Sequence, residues 1–301
     1  MGRTVLVLTL GILCLSTASV LIKFCDDVPA VTIAAYRMAL AAGIMGLLAA
    51  VKRVSFKGLG RRAWLGALLG SVFLALHFAF WVTSLKYTSV ASSVVLVTTN
   101  PIFVGVFSWL IFRERQPPTL VAGIVLSFAG SAVLALGDGG LGQLFAGGSS
   151  AVLGDALALA GAVMASGYLM TGSRMREKMD LLAYTTLVYG FSAVWLWLMV
   201  LVMGLPVSGF KGTSYLSLVA MAVLPQAIGH TTINWALKHL KTGMVAVTIL
   251  GEPIGASILA FFILKESLSV PQFIGMGLIF AAIIVAARRG AKEDKQLAAG
   301  S

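Results

Sequence analysis

The chain of 301 residues is 59% hydrophobic and 11% charged, with a mean hydropathy of +0.97. These values lie far outside the range of soluble domains and indicate an integral membrane protein. The net charge of +11 is spread in short basic clusters between apolar runs, which excludes the continuous basic face of a nucleic-acid-binding protein.

A helix that crosses a bilayer needs about 20 mostly apolar residues. The sequence contains ten such runs, at 4–23, 30–51, 63–84, 89–112, 118–137, 151–172, 181–204, 214–236, 243–264 and 270–287. The first run could be a signal peptide because Arg3 precedes it, but it stays apolar past any small-residue cleavage site, which predicts a retained helix. The longest connection, at 137–150, is rich in glycine and lies at the midpoint of the chain.

Lysine and arginine predict the orientation of these spans, because basic loops stay in the cytoplasm. If the N-terminus is cytoplasmic, 17 of the 22 basic residues fall in cytoplasmic segments and four in outer loops, while Arg37 lies inside a span. The pattern therefore predicts an even number of spans with both termini in the cytoplasm.

The sequence contains an internal repeat of one apolar segment, as "TTNPIFVGVFSWLIFRERQ" and "LGEPIGASILAFFILKESL". Residues 85–136 align with 237–288 without a gap and with 13 identities. Pairs 152 positions apart include Pro101 with Pro253, Arg113 with Lys265, Glu114 with Glu266 and Gly123 with Gly275. We predict two five-helix repeats, at 1–145 and 146–301. Because five is odd, the second repeat enters the membrane from the opposite side.

Polar side chains inside spans are costly and normally face the protein interior or water. Arg37, His77, Asn100 and Glu252 are predicted to share one depth and to border one substrate cavity, with Trp81 near its outer part. Glu252 is the first candidate for proton coupling and His77 the second. A structural alternative for Glu252 is a hydrogen bond to nearby backbone or an ion pair with Arg37. Aromatic residues at helical spacing, such as those beside His77, are more often packing residues than the lining of a pocket.

Three prolines lie inside spans, and each weakens its helix locally. Pro101, Pro225 and Pro253 are therefore predicted as hinges or fixed kinks, and the sequence does not decide between these roles. His230 and Asn234 are predicted to be polar lining near the cytoplasmic interface.

Several segments carry a resemblance to a known family: "AAYRMALAAG", "LHFAFWVTSLKYTSVASSVVLVTTNP", "TILGEPIGA" and "FILKESLSVPQFIGMGLIFAAIIV". The chain resembles a ten-helix member of the EamA family, in the drug/metabolite transporter superfamily, over essentially its whole length. The resemblance implies an all-α protein of the bacterial inner (cytoplasmic) membrane with a central cavity, often an exporter of amino acids or other small metabolites.

The residues and the resemblance together predict a multi-pass secondary transporter that works by alternating access. No nucleotide-binding loop and no metal-ligand spacing stand out, so we expect no enzyme activity, no cofactor and no metal. The expected partners are a small-molecule substrate and the bilayer, without nucleic acid, and the oligomeric state stays open. The alternatives are a facilitative channel-like uniporter and an uptake carrier for a small organic solute.

Overall fold

A computed structural model describes residues 2–88, 90–113, 117–137, 148–265 and 269–299, and in these ranges the protein is helical without any strand. Over the same ranges, seven helices are long and apolar enough to cross a membrane. Three further apolar helices are shorter, at Asn100–Ile111, Pro118–Gly130 and Phe273–Val285. The protein is an all-α membrane protein.

We number the helices by predicted span and give the sections of the interrupted ones. They are α1 (Gly2–Lys23), α2 (Ala30–Val51), α3 (Arg61–Ser84), α4 (Val90–Val97 and Asn100–Phe112), α5 (Pro118–Gly137), α6 (Gly148–Arg176), α7 (Leu181–Val202), α8 (Gly212–Met221, Ala222–His230 and Thr231–Ala236), α9 (Thr242–Ile249, Gly251–Leu259 and Ala260–Leu264) and α10 (Val270–Ala299). Helices α6 and α10 extend furthest beyond their predicted ends, because helix continues through polar and basic residues after the apolar stretch stops.

Helices α4 and α9 are interrupted at aligned places. The break in α4 falls at Thr98 and Thr99 and the break in α9 at Leu250, in each case shortly before a proline. Proline is tolerated in the first turn of a helix, where its missing donor would have no partner, so each proline starts a new section. The doubled helix of the sequence is thus a doubled broken helix in the structure.

The same two helices end with the same unusual backbone. Arg113 follows α4 and Lys265 follows α9, and both have a φ of 58°. Residues other than glycine rarely adopt this left-handed conformation, so its occurrence at two positions that are 152 apart supports the repeat independently of residue identity. Glu114 and Glu266, the next aligned pair, lie outside the described residues.

The two repeats pack into each other. Helix α2 packs mainly on α7, α5 on α10, α3 on α6, and α1 on α8 and α9. If α1 to α5 correspond to α6 to α10, the contact of α3 with α6 is equivalent to that of α8 with α1, and the contact of α1 with α9 is equivalent to that of α6 with α4. The contacts of α2 with α7 and of α5 with α10 each map onto themselves. This is the contact pattern expected when a pseudo-two-fold axis relates two inverted repeats. The boundary between 145 and 146 lies outside the described ranges and stays a prediction.

Small residues bring α5 and α10 into backbone contact. A Cβ atom added at Gly130 would lie 2.9 Å from both Gly275 O and Ile279 N. Glycine is required here because nothing larger than hydrogen fits between the two backbones. Such close approaches are typical of helix packing in membranes.

The loop between α1 and α2 is fastened to the start of α8. Asp27 accepts hydrogen bonds from the backbone N of Lys211 (2.6 Å) and from Ser214 Oγ (2.5 Å), so its carboxylate caps α8 from another part of the chain. The hydrogen bond from Ser214 is the main cause that lowers the pKa of Asp27 below its ordinary value. Asp26 forms an exposed ion pair with Lys211 Nζ at 2.8 Å.

Candidate functional site

A cavity of about 80 Å³ lies at the centre of the helix assembly, lined from both repeats by α1, α2, α3, α4, α6, α8 and α9. This volume holds several water molecules. The five residues predicted from the sequence all line it: Arg37, His77, Trp81, Asn100 and Glu252. Their part in substrate binding stays a prediction, but the structure does bring them together.

Arg37 is the most buried charge of the site, with 2% of its surface exposed. Its Nε donates a hydrogen bond to Gln226 Oε1 at 2.9 Å, and its guanidinium carbon lies 4.3 Å from the centre of the Phe78 ring. Its Nη1 is buried without a hydrogen-bond partner in the described part of the chain. Both direct contacts are uncharged, so the positive charge is held in place without being neutralised.

Glu252 supplies the negative charge of the cavity lining, and its side chain is half-buried. Arg37 and Glu252 attract each other electrostatically. However, the Glu252 carboxylate forms no ion pair and no hydrogen bond with any residue that the structure describes. Among the described residues, neither a direct ion pair with Arg37 nor a hydrogen bond to neighbouring backbone engages this carboxylate, and its role stays a prediction.

Two serines hold the two broken helices in the same way. Ser16 Oγ on α1 donates to the backbone O of Glu252 at 3.1 Å, and Ser166 Oγ on α6 donates to the backbone O of Asn100 at 3.0 Å. Each serine also lies 2.8 Å from the carbonyl oxygen one turn back in its own helix. Because α1 and α6 are equivalent in the repeat, these are one contact made twice.

His77 has a defined tautomer. Its Nδ1 lies 2.9 Å from Gly161 O on α6, and a carbonyl oxygen only accepts, so Nδ1 carries the proton. In the neutral ring, Nε2 is then the acceptor. The ring stacks parallel to Trp81, with centroids 6.1 Å apart and 6° between the planes, and Trp81 Nε1 is buried without a partner in the described ranges.

His230 also lines the cavity, whereas the sequence suggested a place near the cytoplasmic interface. Its ring packs edge-on against Phe78, with centroids 5.3 Å apart. Phe78 and His230 are 152 positions apart, so the contact joins repeat-equivalent residues, as expected close to a pseudo-two-fold axis.

Tyr168 is a cavity residue that the sequence reasoning missed. Its hydroxyl donates to Asn234 Oδ1 at 2.8 Å, and Asn234 Nδ2 lies 3.3 Å from the hydroxyl of Tyr189. Tyr189 in turn lies 3.2 Å from Thr231 Oγ1. Asn234 is fully buried at the centre of this chain of hydrogen bonds rather than at an interface. A tyrosine inside an apolar span gives no signal that separates this role from packing.

The three prolines all lie at irregular parts of helices. Pro225 is inside the π-helical section Ala222–His230 of α8, and Pro101 and Pro253 follow the breaks in α4 and α9. Pro253 also lines the cavity. π-helical turns are rare and are frequently found at functional sites. Whether these sections bend during transport stays a prediction.

A repeated helical membrane fold around a cavity that carries buried ionisable side chains is typical of one class, the membrane transporters. The model of the EamA-like transporter family matches the chain twice, over residues 2–136 and 152–288. The chain belongs to the EamA-like transporter family.

Curated relatives carry the same general description. The chain is 28% identical over 269 residues to an uncharacterized transporter of Archaeoglobus fulgidus, covering 88% of this chain and 90% of the relative. It is 27% identical over 239 residues to an uncharacterized transporter of Clostridium kluyveri, covering 78% and 75%. A protein of known crystal structure matches with a TM-score of 0.80 at 22% identity, over 95% of this chain and 97% of the other, which shows a shared fold.

Proposed function

We propose that the protein is a secondary transporter that moves a small polar metabolite, an amino acid or a similar zwitterion, by alternating access. The observation that carries the proposal is the pair of opposite charges on one cavity, Arg37 and Glu252, which form no ion pair in the described chain. A solute that carries both an anionic and a cationic group can pair with Arg37 through the first and with Glu252 through the second. A solute with one charge leaves the other without a partner.

Buried polar atoms around the cavity support a polar ligand. Arg37 Nη1, Asn100 Oδ1, Trp81 Nε1 and His230 Nδ1 are buried and have no hydrogen-bond partner among the described residues. A buried polar group without a partner costs about 1–3 kcal/mol. A polar solute, or water that the solute replaces, would supply the missing partners, while an apolar solute would not.

The proposed setting is the inner (cytoplasmic) membrane, with both termini in the cytoplasm and transport in the export direction. The basic clusters support the orientation, and the resemblance to ten-helix exporters supports the direction.

For coupling, we propose that Glu252 carries a proton, with His77 as the second candidate. Both residues line the cavity, so a bound proton and a bound solute would occupy the same space.

The test is counterflow in proteoliposomes loaded with one amino acid at a time, followed by a repeat with amines and nucleosides. A ligand screen by melting temperature selects the compounds, because a ligand that binds only the folded state stabilises it. A carrier should show saturable flux and counterflow. Flux that grows linearly with the gradient and shows no counterflow would instead support the channel-like uniporter.

Variants locate the transported solute in the cavity. Glu252→Gln and Arg37→Gln each remove one cavity charge, and Lys57→Gln removes an exposed loop charge as the matched control. Both cavity variants should lower the affinity for the amino acid, while the control should match the wild type. Equal transport by all four proteins would contradict the proposal that this cavity binds the solute.

A further inference from the structure

Arg37 has an unusual environment for a charge inside a membrane span. Its guanidinium contacts Phe78 of α3 and Gln226 of α8, which belong to different repeats, and neither is an acid. A buried cation normally pairs with an anion, because a charge without a partner is costly in a low-dielectric interior. The described residues supply no direct anionic partner.

The contacts leave the Nη edge of the guanidinium without a hydrogen-bond partner among the described residues. The group is planar and has five donors, of which Nε is used by Gln226. Phe78 covers one face of the plane. The two Nη atoms make no hydrogen bond with the described residues, and their shared edge is the geometry that binds a carboxylate through two parallel hydrogen bonds.

Gln226 fixes the guanidinium without cancelling its charge. It is fully buried in the π-helical section of α8, directly after Pro225, so its position is restrained by backbone as well as by packing. A glutamate at this position would have nearly the same shape but would form an ion pair with Arg37. An amide therefore leaves Arg37 free to attract an external anion.

We propose that Arg37 is the carboxylate-binding residue of the cavity and that Gln226 and Phe78 are its positioning residues. This inference rests on the proposed function, since it assumes that the cavity binds the transported solute. The substrate class is then small solutes with a carboxylate, with Glu252 available for their cationic group. Phe78 holds the guanidinium from its face and Gln226 from its Nε edge, so the carboxylate enters from the remaining edge.

The experiment compares matched ligands on purified protein. The twenty amino acids form one panel, and their decarboxylated amines and methyl esters form two others, each tested by its effect on the melting temperature and then by titration. Wild-type protein should bind at least one amino acid about 10- to 100-fold more tightly than its amine or its methyl ester, the range expected for charge-assisted hydrogen bonds. Equal binding of the three forms would overturn the proposal without any variant.

Variants at position 226 test the positioning role. Gln226→Glu should abolish the preference for the carboxylate form while it preserves amine binding, and Gln226→Leu should reduce the preference. Asn100→Asp adds the same charge to another wall of the cavity and is the matched control. It should reduce the preference less than Gln226→Glu does. A preference that survives in Gln226→Glu, or falls equally in both acidic variants, contradicts the assignment of Gln226.

The outcomes separate this inference from the proposed function. If amines or nucleosides are transported with saturable counterflow and the carboxylate makes no difference, the transporter proposal stands and the role of Arg37 is wrong. If no compound in any panel binds or is transported, both proposals are wrong. If Gln226→Glu fails to fold, the wild-type comparison of amino acid, methyl ester and amine still decides whether a carboxylate is recognised.

Discussion

The contact between Tyr168 and Asn234 gives a prediction that can be worked out in free energy. Replacing Tyr168 with Phe removes only its hydroxyl, and replacing Asn234 with Leu removes the amide at nearly constant volume. Both side chains are buried, with 2% and 0% exposure. Each single variant therefore leaves a polar group of the other residue buried without its partner.

The magnitude follows from the geometry. The Tyr168 hydroxyl lies 2.8 Å from Asn234 Oδ1 and 2.5 Å from Nδ2, so two close polar contacts join the pair. Hydrogen bonds between membrane helices contribute about 0.6 kcal/mol on average and up to about 1.7 kcal/mol. We expect a coupling free energy of roughly 1 to 1.5 kcal/mol between the two positions. Asn234→Leu should cost more than Tyr168→Phe, because it also breaks the contact with Tyr189.

The assay is reversible unfolding in mixed micelles, titrated with a denaturing detergent and followed by helical circular dichroism. The wild type, both single variants and the double variant form a double-mutant cycle. Tyr168→Phe combined with Thr32→Val is the control, since the Thr32 hydroxyl donates to Pro206 O in a different part of the fold. The control pair should be additive within about 0.5 kcal/mol. If the Tyr168 and Asn234 variants are equally additive, the hydrogen bonds between them do not stabilise the protein.

Three further outcomes are expected. Gly130→Ala should lower the melting temperature because its Cβ would meet backbone at 2.9 Å, while Gly43→Ala should not, since nothing lies within 4 Å of that position; equal effects would contradict the packing of α5 on α10. Glu252→Gln should retain solute exchange in proteoliposomes, at a lower affinity for the solute, but lose stimulation by a pH gradient, because an amide binds no proton; full stimulation would instead favour His77 as the coupling residue. The carboxylate of Asp27 has a lowered pKa, so its stabilising effect is present above its unfolded pKa of about 4 and is lost as the pH falls through its folded value. Acidification from pH 7 to 3 should therefore lower the melting temperature of the wild type more than that of Asp27→Asn, and identical pH profiles would refute the capping role.

Much of the architecture could be predicted from the sequence because lipid constrains it strongly. Long apolar runs give spans, and an exact offset of 152 gives a repeat whose members share breaks and left-handed ends. Arg37 and Glu252 could be identified because ionisable residues are rare inside spans and rarely face lipid. The same reasoning could not identify Tyr168, Ser16 or Gln226. Their residue types are common in membrane helices as packing residues, and only their neighbours across the repeats reveal a polar role.

The sequence also left the partners of the charges open. An ion pair of Arg37 with Glu252 was a reasonable alternative, because the two residues share a depth. The structure instead gives Arg37 an amide and an aromatic ring, on α8 and α3. Depth along a span can be predicted from residue number, but direction around a helix axis depends on packing. The π-helical section of α8, which sets the direction of Gln226, has no clear signal in the sequence beyond Pro225.

The interlocking of the two repeats has a consequence for biosynthesis. Arg37 is made 189 residues before Gln226, and at a synthesis rate of about 5–20 residues per second this interval is roughly 10 to 40 seconds. During that time α2 must enter the bilayer with a cation whose hydrogen-bond acceptor does not yet exist, at a cost of up to about 2.5–3.5 kcal/mol, the value for an arginine at the centre of a span. A nascent chain that stops before α8 therefore keeps an unsatisfied charge in its second helix.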